Sequence, residues 1–541
     1  MKHRSAFTAS PRLGAAISKH PRSQHTTRCY SLIAILLCLL IQTGRNSLIL
    51  AQEHTNITVV LHNAKPGRQI PQSFLGFSME YFNRGAEQIL TPANRQQEHI
   101  SSLFNNLGAL NGPPMLRLGG NSADDSWWDP NGLQNPRGVS LRITPSLVQN
   151  VNGLIRSTGT KLLVGLNLGY SDPSLAVAWS RAALSHFPPN SIAAFEIGNE
   201  SDLFPHHGLR PRTYSFQDYT YDFNTWLQAL SPVFDGHRWA AGPAFTHGKW
   251  AADVPGFINK EHKSLALITQ HQYALNACAA PNKAKYASID NLLAGQEISD
   301  NYIKLISPIV SAASPYGIPV RLDETSYMLT AGCKGPTASG KSITDTFASA
   351  LWTADVLFEL ARAGVSGVNF QTQPTHGAHV PAPFYTNTDG TLSVAPMYYG
   401  MMFFAKTVQH RAHFISTTYT NTANANVKVW ATQDDAGNIR IAVLNKDLNI
   451  SALVSVPLPD ATSLQKRNPA HSSRIVPTGR LLRLSAPNID ATSGVTLAGQ
   501  TFGGNGFAMG KETRTVIRPR NGIILFTVPQ ASAAILEIQK R

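Results

Sequence analysis

The sequence predicts an α/β chain, a (β/α)8 barrel followed by an all-β sandwich domain that also takes an N-terminal strand. Two observations predict it. Between residues 70 and 410, short apolar runs alternate eight times with helical patterns. From residue 411 onward, short strands separated by Asn, Asp and Gly turns replace that alternation.

The strand runs lie at 74–81, 115–119, 161–168, 192–197, 238–241, 266–273, 320–323 and 365–371. Helical patterns fall near 98–109, 144–158, 173–186, 215–231, 250–261, 288–314, 341–363 and 397–409. The fifth strand, Arg238-Trp239-Ala240-Ala241, carries the weakest signal because it is short. An early strand, Ile57-Thr58-Val59-Val60-Leu61, has no place in the barrel count and is expected to pair with the β domain. The predicted domains are therefore 52–69 for that strand, 70–410 for the barrel and 411–541 for the sandwich.

Residues 1–51 read as a signal peptide or N-terminal anchor. They hold seven Lys/Arg and no acid up to residue 50, half of the formal charge of +14, and an apolar core at 32–41. That core is shorter than the ~20 residues a membrane span needs. The expected location is secreted or periplasmic, with no stable membrane insertion once the signal is removed. The remaining positive charge is a mild bias that suits an acidic polysaccharide. No dense Lys/Arg run with interleaved aromatics occurs, so a nucleic-acid partner is not expected.

Outside the leader only Cys278 and Cys333 remain. In an exported protein they are a candidate disulfide, with two free thiols as the alternative. They make a poor zinc site, and the adjacent pair His206-His207 is not a metal signature by itself. No three-residue metal set is visible, and no cofactor is expected.

A barrel of this kind builds its site from the loops after the strands. Strand one delivers Glu80, strand two Arg117-Leu118-Gly119-Gly120-Asn121, and strand four Asn199-Glu200. Strand six delivers His271-Gln272-Tyr273, strand seven Glu324, and strand eight Gln371, Gln373, His376 and Tyr385. Such a cleft is rich in carboxylate, amide and phenol groups. Two strand-end glutamates suit hydrolysis of a glycosidic bond with retention, which takes a proton donor and a carboxylate nucleophile ~5–5.5 Å apart. Glu200 and Glu324 are the candidate catalytic pair. Asn199 is a candidate for a sugar hydroxyl, and Tyr273 for orienting the nucleophile. Gly119-Gly120 also suits a tight turn, Glu80 an ion pair with Arg117, and His271 a structural role.

Four blocks carry a closer resemblance: Leu116-Arg117-Leu118-Gly119-Gly120-Asn121, Glu196-Ile197-Gly198-Asn199-Glu200, His271-Gln272-Tyr273 and Asp323-Glu324-Thr325-Ser326, with the helix from Thr344 to Trp352. With them the chain resembles glycoside hydrolase family 79, the β-glucuronidase and heparanase family, within the retaining (β/α)8 glycosidase clan. The resemblance implies Glu200 as acid/base and Glu324 as nucleophile. It implies substrate contacts for Glu80, Asn121, Asn199, Tyr273 and Tyr385. It also implies a uronate-gripping loop after the nucleophile, on which Tyr327 and Gly332 fall. That loop, Ser326 to Gly335, is longer and less glycine-rich here than in the family. The expected substrate is thus a uronate-bearing glycan or glucuronide. A β-glycosidase for a neutral sugar, or a non-catalytic carbohydrate-binding barrel, are the alternatives.

Overall fold

The computed structural model describes residues 54–540 except 63–66, 83–84, 137, 247, 331–332, 334–342, 373–379 and 459–477. The expected leader at 1–51, Gly332, Gln373 and His376 lie outside the described residues. No helix among the described residues is long and apolar enough to cross a membrane.

Eight strands close into a parallel barrel. In barrel order they are Leu75–Glu80, Met115–Gly119, Leu162–Leu166, Ile192–Ile197, Ala240–Phe245, Leu265–Asn276, Val320–Leu329 and Gly367–Gln371. They are buried almost throughout, which explains continuous apolar runs rather than alternation. Three strands differ from the sequence reading. Strand five sits further along the chain and consists of Ala-Ala-Gly-Pro-Ala-Phe. Its side chains are small because the helix Phe216–Phe234 presses on it; a Cβ at Gly242 would lie 3.1 Å from the Tyr219 hydroxyl. Strands six and seven overrun their apolar cores and stay paired through Met328–Leu275 and Leu329–Asn276. The Cys278–Cys333 disulfide closes the ends of that pair.

The C-terminal segment forms two stacked sheets. The smaller contains Thr417–Tyr419, His54–Leu61, Ser451–Pro457 and Ile523–Val528, so the early strand runs parallel beside 451–457. The larger runs through His413–Ile415, Val427–Gln433, Ile439–Asn445, Ser532–Ile538 and Gly479–Ser485. Ile57, Val59, Val454 and Phe526 from one sheet pack against Val427, Val429, Ile441 and Leu536 from the other.

The outer face of the larger sheet is covered as well, by the barrel helices Phe347–Ala363 and Pro396–Thr407. Strand Val427–Gln433 shows why. Alternate residues point to opposite faces, so Val427 and Val429 enter the sandwich core while Lys428 and Trp430 face the barrel. Trp430 stacks on Phe358 with centroids 4.7 Å apart. Helix Phe347–Ala363 is therefore buried all round, from Phe347 to Ala361. Its one fully buried acid, Asp355, pairs with Lys446 at 2.5 Å and Lys428 at 2.9 Å from the sheet.

Removing Asp355 leaves the Lys446 ammonium buried without its partner. Asp355→Ala should cost about 3–5 kcal/mol in chemical denaturation, and adding Lys446→Met should recover most of it. A loss under about 0.5 kcal/mol, the scale of a surface pair, contradicts this account of the joint.

Candidate active site

At the carboxyl end of the barrel, Arg117 on strand two is fully buried. A charge there needs partners, and the neighbouring strands supply them. Its Nη1 donates to Glu324 Oε2 at 2.6 Å and Ser78 Oγ at 3.1 Å. Its Nε donates to Glu196 Oε2 at 2.7 Å, and its Nη2 donates to Asn199 Oδ1 at 2.7 Å. Asp323 Oδ2 lies 3.3 Å from Nε. Burial opposes the charged form, but the negative charges of Glu196, Asp323 and Glu324 hold the guanidinium well above its ordinary range.

Glu324 is gripped on both oxygens, since the Tyr273 hydroxyl donates to Oε1 at 2.6 Å. Strand four ends at Ile197, and Gly198 (φ +80°) and Glu200 (φ +49°) turn the chain sharply. A left-handed backbone at a non-glycine residue is strained. Asp124 holds the turn by accepting from Asn199 N at 3.1 Å, and from the N–H groups of Leu168 and Gly169 on strand three's loop. The turn aims Glu200 at His271, whose Nδ1 lies 2.9 Å from Oε1. Burial pushes Glu200 up, although the hydrogen bond and charge of His271 oppose it. Burial also disfavours the His271 cation, but the charges of Glu324 and Asp323 keep it well above the usual range.

Beneath these groups, Glu196 is pushed up to about 8 by burial. Asp323 is drawn down to about 2 by the charges of His271 and Arg117 in spite of its burial.

Glu80 does not pair with Arg117. Its carboxylate accepts from Asn121 N at 3.1 Å and from Ser122 N and Oγ at 2.8 and 2.5 Å. Burial lifts it to about 7. The close seat explains Gly120 (φ +70°), where a Cβ would lie 2.2 Å from Glu80 Oε1. Asn121 Oδ1 accepts from Asn199 Nδ2 at 3.0 Å. Glu80, Asn121, Glu200, Tyr273 and Glu324 all line one cavity of about 350 Å3, a volume suited to a small ligand. His207 lines it too.

Tyr327 and Tyr385 are not among the described residues that line this cavity. Strand seven continues past Glu324 to Leu329, and pleat parity turns Tyr327 to the opposite face, against Trp352. Its hydroxyl accepts from Asp345 N at 2.7 Å, and the Tyr385 hydroxyl donates to Asp345 Oδ1 at 2.9 Å. The two tyrosines converge on an aspartate that sequence reasoning did not single out.

Glu200, His271 and Glu324 each offer an atom within 4.8 Å of the others. The Arg117 guanidinium already supplies the cation at Glu324 and His271 the donor at Glu200, so the set is complete as a hydrogen-bonded cluster. Arg117, Glu196 and Asp323 were visible in the sequence only as charges inside otherwise apolar strands. Asp124 gave no signal.

Residues 426–535 match the model of the glycosyl hydrolase family 79 C-terminal beta domain. No curated relative matches the chain at a significant level. Among solved structures, a 4-O-α-L-rhamnosyl-β-D-glucuronidase from Fusarium oxysporum superposes with a TM-score of 0.68 at 18% identity, covering 89% of this chain and 99% of that one. A family 51 arabinofuranosidase from Xanthomonas axonopodis pv. citri gives 0.63 at 16% identity, covering 90% and 100%. A family 44 xyloglucanase from Paenibacillus polymyxa gives 0.57 at 12%, covering 90% and 100%. These likenesses carry the barrel-plus-sandwich fold. Residues 426–535 thus match the family 79 β domain, joined to a barrel of the fold that these glycoside hydrolases share.

Proposed function

We propose that the chain hydrolyses terminal β-linked glucuronic acid by double displacement, with Glu324 as nucleophile and Glu200 as acid/base. The observation that carries the mechanism is the pairing of two differently held carboxyls, with an oxygen of each within 4.8 Å of the other. That approach suits retention, because inversion needs a wider gap of ~6.5–9.5 Å for a water. The environments separate the roles. Arg117 and Tyr273 orient both oxygens of Glu324, as a carboxylate nucleophile requires. Burial raises Glu200, the direction a general acid requires. Glu80 and Asn121 line the same cavity, whereas Asn199, whose side chain is held by Arg117 and Asn121, is not among the described residues that line it.

The uronate assignment is supported by the family 79 β domain and by the glucuronidase among the superposing structures. One observation favours a neutral sugar instead: Tyr327 and Tyr385 are engaged by Asp345. We also read the protein as exported, a reading supported by the Cys278–Cys333 bond.

Glu324→Ala should lower kcat on an aryl β-glucuronide by more than about a thousandfold. Wild-type activity on neutral aryl glycosides alone overturns the uronate assignment. Glu200→Ala should regain turnover of an activated aryl β-glucuronide when azide replaces water as the acceptor, giving the glycosyl azide; no azide product contradicts the acid/base role.

The pH profile carries a sign. Rate falls as pH rises through the Glu200 pKa, which burial raises and His271 lowers. His271→Gln should therefore move the alkaline limb of kcat/KM to higher pH, and a shift to lower pH contradicts the assignment.

A further inference from the structure

The cleft does not end at the catalytic pair. Gln272 and Lys285 line both the catalytic cavity and an adjoining cavity of about 570 Å3. If Glu200 protonates the leaving oxygen, as proposed above, the leaving group extends on its side of the cleft. Leu203, His207 and Thr246 stand there after strands four and five, with Asn276 and Lys285 from strand six and its loop.

Lys285 differs from its neighbours. Lys304 in the adjoining cavity pairs with Asp300 at 2.6 Å. Lys260 lies 3.8 Å from Glu261. For the Lys285 ammonium no ion-pair or hydrogen-bond partner occurs among the described residues. Glu297, whose charge acts on it, is taken up by Asn301 and Trp352. Lys285 is partly buried, and burial pushes its ammonium down. A partly desolvated cation without a counterion is costly unless a ligand supplies one.

Its position is fixed by the backbone. Asn276 N donates to Lys285 O at 2.8 Å, and Asn291 Nδ2 donates to Tyr286 O at 3.0 Å. The disulfide at Cys278 closes the start of the same loop. The loop that carries Lys285 is thus tethered at the edge of the catalytic cavity.

We propose that the leaving-group side of the cleft is an anion-binding subsite, in which Lys285 takes a carboxylate or a sulfate ester carried by the sugar that leaves. This inference rests on Glu200 being the acid/base. The subsite selects what the glucuronate is attached to, separately from the glucuronate itself.

The test uses the full-length protein and three β-glucuronyl disaccharides of one linkage. Their leaving sugar is neutral, bears a carboxylate, or bears a sulfate ester. Wild-type kcat/KM should be about tenfold higher for at least one anionic sugar, the scale of a charge-assisted hydrogen bond. That ratio should fall toward one in Lys285→Met, persist largely in Lys285→Arg, and shrink as salt is added. The sugar that gives the larger ratio identifies the anion. Equal rates for all three in the wild type, or an unchanged ratio in Lys285→Met, overturns the subsite. Should none of the three be cleaved while neutral-sugar glycosides of the same leaving sugars are, the uronate assignment falls, and the Lys285 ratio is read on those substrates instead.

Discussion

Everything at the carboxyl end of the barrel depends on one buried cation. The Arg117 guanidinium ties strand two to strand four through Glu196 and Asn199, and to strand seven through Glu324. A planar fork of five donors serves this purpose where an ammonium would not. It reaches partners on three strands at once, and its rigidity becomes the rigidity of the site. A carboxylate that accepts two short hydrogen bonds has little freedom to turn, whereas Glu200 is held by His271 through one oxygen. The division of roles proposed for these two chemically identical side chains rests on that unequal support.

The second constraint is the shared face between barrel and sandwich. Helix Phe347–Ala363 follows the strand that carries Glu324, and its far side is buried against the larger sheet. The sandwich therefore braces the helix that backs strand seven. The early strand His54–Leu61 completes the smaller sheet beside Ser451–Pro457, so both ends of the described chain meet in the same β domain.

Much of this was legible in the sequence, for physical reasons. Parallel strands covered on both sides must be apolar throughout, so eight runs stood out between amphipathic helices. Carboxylates at strand ends break those runs visibly, and Glu200 and Glu324 emerged as candidates from that contrast. Charges within the runs, at Arg117, Glu196 and Asp323, were equally visible, but their meaning needs the closed barrel that brings strands two, four, six and seven together. Strand five was misaligned because tight packing against Tyr219 selects Ala, Gly and Pro, which carry no strand signature. Tyr327 was assigned to a loop because strand seven outlasts its apolar core. Its extension is fixed by pairing with strand six, a long-range contact that local pattern does not encode.

The central claim is that the carboxylate held by Arg117 and Tyr273 attacks the sugar. A 2-deoxy-2-fluoro-β-glucuronyl fluoride traps a covalent glycosyl-enzyme, and peptide mass spectrometry locates the label. The account predicts a stoichiometric adduct on Glu324. A label on Glu200 or Glu80, or turnover of the reagent to the α-anomer without any covalent adduct, would contradict it.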